Sequence, residues 1–138
     1  MEPKEIKVSV SRTEDNYCCG WNDGRGGAVF VTAATLDQLK KDFAESLQFH
    51  IEGCEIDGDE IADYLRSGDY TITYDLDAAA LIRSAESYTT MSAISRASGI
   101  NQKQLSHYAT GVKRARPRQI ARIKDALRII GEAILALS

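Results

Sequence analysis

From Asp77 onward every apolar spacing in the chain is helical, whereas the part before it opens and closes on strict alternation. Ile6, Val8 and Val10 alternate with polar residues, and so do Tyr70, Ile72 and Tyr74. That is the period of a half-buried strand. One change of period, in that direction, predicts an α+β unit over residues 1–76 joined directly to an all-helical unit over 77–138.

Within the first unit, Tyr17 to Trp21 and Ala28 to Thr32 read as two more strands around the turn "NDGRGG". Asn, Asp and Gly tolerate the backbone of a tight reversal, so the first three strands are expected to form an antiparallel meander. Thr35 followed by Gln38 is a capping-box pattern, and Leu36, Leu39, Phe43, Leu47 and Ile51 fall on one helical stripe. Gly53 is the expected end of that helix. "DGDEIADYLRSG" can hold a short helix, and "YTITYDL" is a fourth strand. The fold class is thus α+β, an antiparallel β-β-β-α-β domain followed by an all-α domain.

In the second unit Asp77 can cap "AAALIRSAESY", Thr89 or Thr90 can start "MSAISRAS", and Asn101 can cap "QKQLSHYAT". Gly111 stops the last of these. Pro117 belongs in the first turn of a long final helix, where its missing N–H costs least. There Ile120, Ile123, Leu127, Ile130, Ile134 and Leu137 are spaced 3-4-3-4-3, with Gly131 a point where the helix could break.

Charge divides along the same line. Residues 1–88 hold eight Lys and Arg against eighteen Asp and Glu, a net −10. Residues 89–138 hold nine against two, a net +7. A +7 segment suits a polyanion and a −10 segment repels one, so the two units are expected to serve different partners. No apolar run reaches the roughly 18 residues that a membrane span needs. The start "MEPKE" has neither a basic nor an apolar leader region, and the three cysteines are an odd number. Reduced thiols in a cytoplasmic protein are the expectation.

The segment "SRASGINQKQLSHYATGVKRARPR" carries the functional signal. Two short helices hinged at Gly99, with Ile94, Ala97, Ile100, Leu105 and Tyr108 turned inward, are the parts of a helix-turn-helix. With those positions inside, Gln102, Lys103, Ser106 and His107 point outward from the second helix, where base edges are read. Lys113, Arg114, Arg116 and Arg118 follow as a cationic cluster suited to phosphates. Double-stranded operator DNA is therefore the expected partner. The far end of the 3-4-3-4-3 stripe is expected to make a homodimer or higher homo-oligomer, because paired units read two half-sites.

At these residues the chain resembles the Cro/repressor-type helix-turn-helix family: "GINQKQLSHYATGVKRARPRQIARI" has its Gly-Ile-Asn, its Leu-Ser-x-Tyr helix, then Gly, basic residues, Pro and a following helix. Ser98 stands where that family places an apolar residue. The first unit resembles HicB-type antitoxins, which have a partial ribonuclease-H-like fold, through "NYCCGW", "AVFVTAATLDQLKKDFAESLQFHIEG" and "YTITYDL". "NDGRGG" replaces that family's proline-containing segment. The two resemblances together imply an antitoxin that binds a small HicA-like RNA-cleaving toxin through residues 1–76 and represses its own operon through 77–138. A standalone regulator without a toxin, or an RNase H-like RNA-processing enzyme, are the alternatives.

Enzyme chemistry finds little in the sequence. Metal-dependent phosphodiester cleavage needs carboxylates converging from a rigid strand, and the first strand offers Lys7 and Ser9 instead. Asp15, Asp23, Asp37 and Glu45 are scattered. His50 and Cys54 have the i, i+4 spacing of a ligand pair, but the helix is expected to end at Gly53 between them, and no second pair is visible. No catalytic residue, cofactor or metal is therefore expected.

Overall fold

The computed structural model describes residues 2–138, which form four strands and six helices. The chain divides into two compact units, Met1–Val10 with Asp15–Asp75, and Ser11–Glu14 with Leu76–Ser138. The α+β class read from the sequence is the class observed.

The first unit is built on one sheet in the order β3-β2-β1-β4, from β1 (Lys4–Arg12), β2 (Tyr17–Asn22), β3 (Ala28–Ala33) and β4 (Tyr70–Leu76). β2 and β3 pair antiparallel in unbroken register from Tyr17 opposite Ala33 to Asn22 opposite Ala28. Alternation sets the faces: Ile6, Val8 and Val10 are buried while Glu5, Lys7 and Ser9 are exposed. Helix α1 (Leu36–Asp57) lies on the sheet with Leu39, Phe43, Leu47 and Ile51 buried. Phe43 meets Tyr74 edge-to-face at 6.0 Å, and the Tyr74 hydroxyl donates to the Lys40 carbonyl at 3.0 Å. Helix α2 (Asp63–Ser67) occupies the connection to β4.

Two details of α1 differ from the sequence expectation. Thr35 caps the helix, its hydroxyl accepting from the Gln38 N–H at 3.2 Å, but the Gln38 side chain donates to Asp42 at 2.6 Å rather than reaching back. Only half of the capping box is made. The helix also runs through Gly53 and ends at Gly58, which takes φ +73° and returns its N–H to Cys54 and Glu55 carbonyls. A mid-helix glycine costs only about 1 kcal/mol, which the buried Ile51 side chain beside it outweighs.

The second unit comprises α3 (Ala78–Ala85), α4 (Met91–Ser98), α5 (Gln102–Thr110) and α6 (Pro117–Leu135). Asp77, Thr90 and Asn101 cap α3, α4 and α5 through their side chains, and Pro117 opens α6. Ile82, Ile94, Ile100, Leu105, Tyr108 and Ile123 form the centre of its core. Helix α6 continues unbroken past Gly131. Its apolar stripe passes from buried Ile123 through half-buried Leu127 and Ile130 to exposed Ile134, and Leu137, also exposed, lies just beyond the end of the helix. Among the described residues no helix is long and apolar enough to cross a membrane.

Candidate nucleic-acid interface

Helices α4 and α5 are joined by a two-residue turn plus cap, Gly99 to Asn101. Gly99 sits at φ +75°, a backbone that side-chain-bearing residues avoid, and Arg122 Nη2 lies 3.1 Å from where a Cβ would be. Serines close the turn: Ser95 Oγ donates to the Ile100 carbonyl at 2.7 Å, and Ser98 Oγ accepts the Ile100 N–H at 3.1 Å. Ser98 thus supplies a hydrogen bond that an apolar residue there would lack. Ile94, Ile100, Leu105 and Tyr108 are buried and Ala97 packs against them, as the inward set requires.

With that side of α5 inside, Gln102 and Lys103 are exposed, while Ser106 and His107 are half-buried. His107 Nδ1 is out of solvent and has no hydrogen-bond partner. The four residues expected at base edges therefore split: two project freely from the first turn of α5, and two lie closer to the protein surface. Lys113, Arg114, Arg116 and Arg118 are all exposed in the segment between α5 and α6 and at the start of α6.

The structure adds residues that local spacing does not reveal. Those four cations and Arg122 line one open cleft of about 720 Å³. Its remaining walls are the neutral Gln104, Tyr108 and Gln119, with no carboxylate. Gln104 Nε2 donates to the Tyr108 hydroxyl at 2.8 Å, and Arg122 Nη1 donates to Gln119 Oε1 at 2.9 Å. Arg122 Nη2 also holds the Ser98 carbonyl at 2.9 Å, tying the first turns of α6 to the end of α4.

A second polar cluster lies in the α+β unit. The Asp23 side chain, 6% exposed, accepts the Arg25 and Gly27 N–H groups on Oδ1 at 2.7 and 2.9 Å, and His50 Nε2 donates to its Oδ2 at 3.1 Å. Because α1 does not stop at Gly53, Cys54 sits one turn after His50, its Sγ 3.8 Å from the same Nε2. A thiol–imidazole–carboxylate relay needs thiol and carboxylate on opposite ring nitrogens. Burial first, then the charges of Asp59, Asp23 and Asp57, push the Cys54 thiol up, which disfavours the reactive thiolate. Burial and neighbouring Cys18 push Cys19 up to about 11. No group of three or more His, Cys, Asp or Glu among the described residues is placed to hold a metal ion. The cluster fastens the β2–β3 turn to α1.

No family model matches the chain, and no curated protein or solved structure is significantly similar to it.

Proposed function

We propose that the chain is a sequence-specific DNA-binding repressor in which α5 enters the major groove. The observation that carries this reading is a capped, glycine-hinged helix pair whose exposed Gln102 and Lys103 stand on the same unit as a carboxylate-free cleft of five cations. Gln and Lys are suited to adenine and guanine edges, and arginines to the phosphates alongside. Two copies meeting through the exposed Ile134 of α6 and Leu137 just beyond it would present two such helices to a two-fold operator.

Operator binding measured against salt concentration tests the assignment. Arg114→Ala should lower the log–log salt slope by about one, with all sequences weakened alike. Gln102→Ala should leave that slope and lose about 1–3 kcal/mol of discrimination at one base pair. Ile134→Glu should abolish cooperative binding of two chains to the operator, leaving each half-site to take up a single chain independently and more weakly. Equal effects of Gln102→Ala on specific and random duplexes would remove α5 from the groove.

For the acidic unit the reading is that of an antitoxin, docking a small cationic protein such as a HicA-like toxin. What favours it is the solvent ridge of α1, where exposed Glu45, Phe49, Glu52 and Ile56 are spaced 4-3-4. Two apolar anchors between carboxylates suit a partner that is basic around apolar pockets, and like charge discourages DNA there. Calorimetry with the purified product of an adjacent toxin-sized gene should show binding that Phe49→Ala with Ile56→Ala abolishes. Undiminished binding by that double variant would move the partner elsewhere. A standalone regulator is the alternative if no such partner binds.

A further inference from the structure

The exposed cations at the rim of the cleft in the helical unit would attract any phosphate through charge. Its floor is different, because it is neutral and ordered. Tyr108 is 5% exposed, with its ring in the core and its hydroxyl at the cleft. A phenol oxygen offers two lone pairs and one proton. Gln104 Nε2 donates to that oxygen at 2.8 Å, and Gln119 Nε2 approaches it at 3.5 Å from the opposite helix.

Both amides are held in this sense by charge. Gln104 Oε1 faces Lys113 Nζ at 3.5 Å, and Gln119 Oε1 accepts from Arg122 Nη1 at 2.9 Å. The Arg122 contact at Gln119, and the longer Lys113 contact at Gln104, favour the sense in which each NH₂ faces the tyrosine, over one in which an amide oxygen would accept the Tyr108 proton. With its lone pairs engaged, the hydroxyl has a proton and no acceptor for it among the described residues. A nearly buried donor without an acceptor, at the bottom of a cavity rimmed by cations, is a place built for an anion with directed lone pairs.

We propose that this cleft is a preformed socket for a single phosphate group, with the Tyr108 hydroxyl as the directed donor at its floor and Arg116 and Arg118 neutralising charge at its rim. Under the DNA-binding reading, on which the source of the ligand rests, that group is one phosphodiester of the operator backbone. The recognition chemistry is shared with free phosphate. Arg122 is a positioning residue: it orients Gln119 and, through the Ser98 carbonyl, couples the socket to the turn that aims α5. Filling the socket therefore fixes the register of the recognition helix.

The experiment has two arms on the full-length protein. In the first, inorganic phosphate is titrated while the side-chain amide signals of Gln104 and Gln119 are followed by NMR, with sodium chloride of equal ionic strength as the control. A saturable shift with phosphate alone, lost in Tyr108→Phe, is the expected result. The same shift with chloride, or an undiminished one in Tyr108→Phe, overturns the socket. Gln104→Glu is a second variant that keeps the shape: its carboxylate would accept the Tyr108 proton and should abolish phosphate binding. In the second arm, Tyr108→Phe should weaken operator and random duplexes alike by about tenfold or more, with an unchanged salt slope because no charge is removed. Should wild-type protein bind phosphate saturably but no duplex, the DNA reading fails and the socket stands for a free phosphate compound. Should duplex binding be intact in Tyr108→Phe and phosphate give no shift, the socket fails and the DNA reading stands.

Discussion

Leu105→Ala should cost the helical unit about 2–5 kcal/mol and abolish operator binding near physiological temperature. Leu105 is fully buried at the centre of a core that α3, α4, α5 and α6 share. A unit of this size has only about 3–9 kcal/mol in hand, so one cavity of this kind is a large fraction of the whole. Gln102→Ala, on the same helix but exposed, should change stability by no more than about 0.5 kcal/mol while still altering sequence preference. Urea denaturation followed by far-ultraviolet circular dichroism gives the first quantity and duplex titration the second. The pair separates seating of α5 from reading by α5. If Leu105→Ala kept wild-type stability, α5 would not be seated on that core, and the groove-facing set inferred from it would have no basis.

Features that depend on neighbours in the chain were legible from the sequence, and features that depend on distant residues were not. Thr35, Asp77, Thr90 and Asn101 cap their helices because a cap needs only the N–H groups two or three residues on. The alternation in β1 and β4 gave both strands and their faces for the same reason. Gly53 misled, because packing overrides propensity there: it lies inside α1, which Gly58 ends with a positive φ. Gly99 is the hinge read from the sequence, and Gly131, which the sequence left open as a break, lies inside α6. On α5, the exposure of Gln102 and Lys103 followed from helical phase alone. Ser106 and His107 followed less fully, since their burial depends on what α5 packs against. The floor of the cleft joins Gln104 and Tyr108 of α5 to Gln119 and Arg122 of α6, residues that only the packing of the two helices brings together. Asp23 and His50 meet across 27 positions for the same kind of reason.

Gly27→Ala is expected to destabilise the α+β unit by about 2–4 kcal/mol, a large penalty for one methyl group. The reason is space rather than backbone strain, since a Cβ there would overlap Asp23 Oδ2 and lie 2.6 Å from His50 Cε1. Relief requires the Asp23–His50 pair to separate, leaving a carboxylate that is 6% exposed without one of its partners. The pH dependence tells this mechanism from simple crowding. Burial by itself raises the Asp23 pKa, but the Arg25 and Gly27 N–H groups and His50 together hold it below its ordinary 3.8. A carboxylate depressed in the folded state contributes stability that is complete above its unfolded pKa and is lost as pH falls through the folded value. The gap between wild type and Gly27→Ala should thus be widest above about pH 4 and narrow below 3.8, as the wild-type Asp23 takes up its proton. Denaturation midpoints measured at neutral pH and again well below that value decide the matter. A gap that stays constant with pH would assign the whole cost to crowding and leave the carboxylate without a part in fastening the turn to α1.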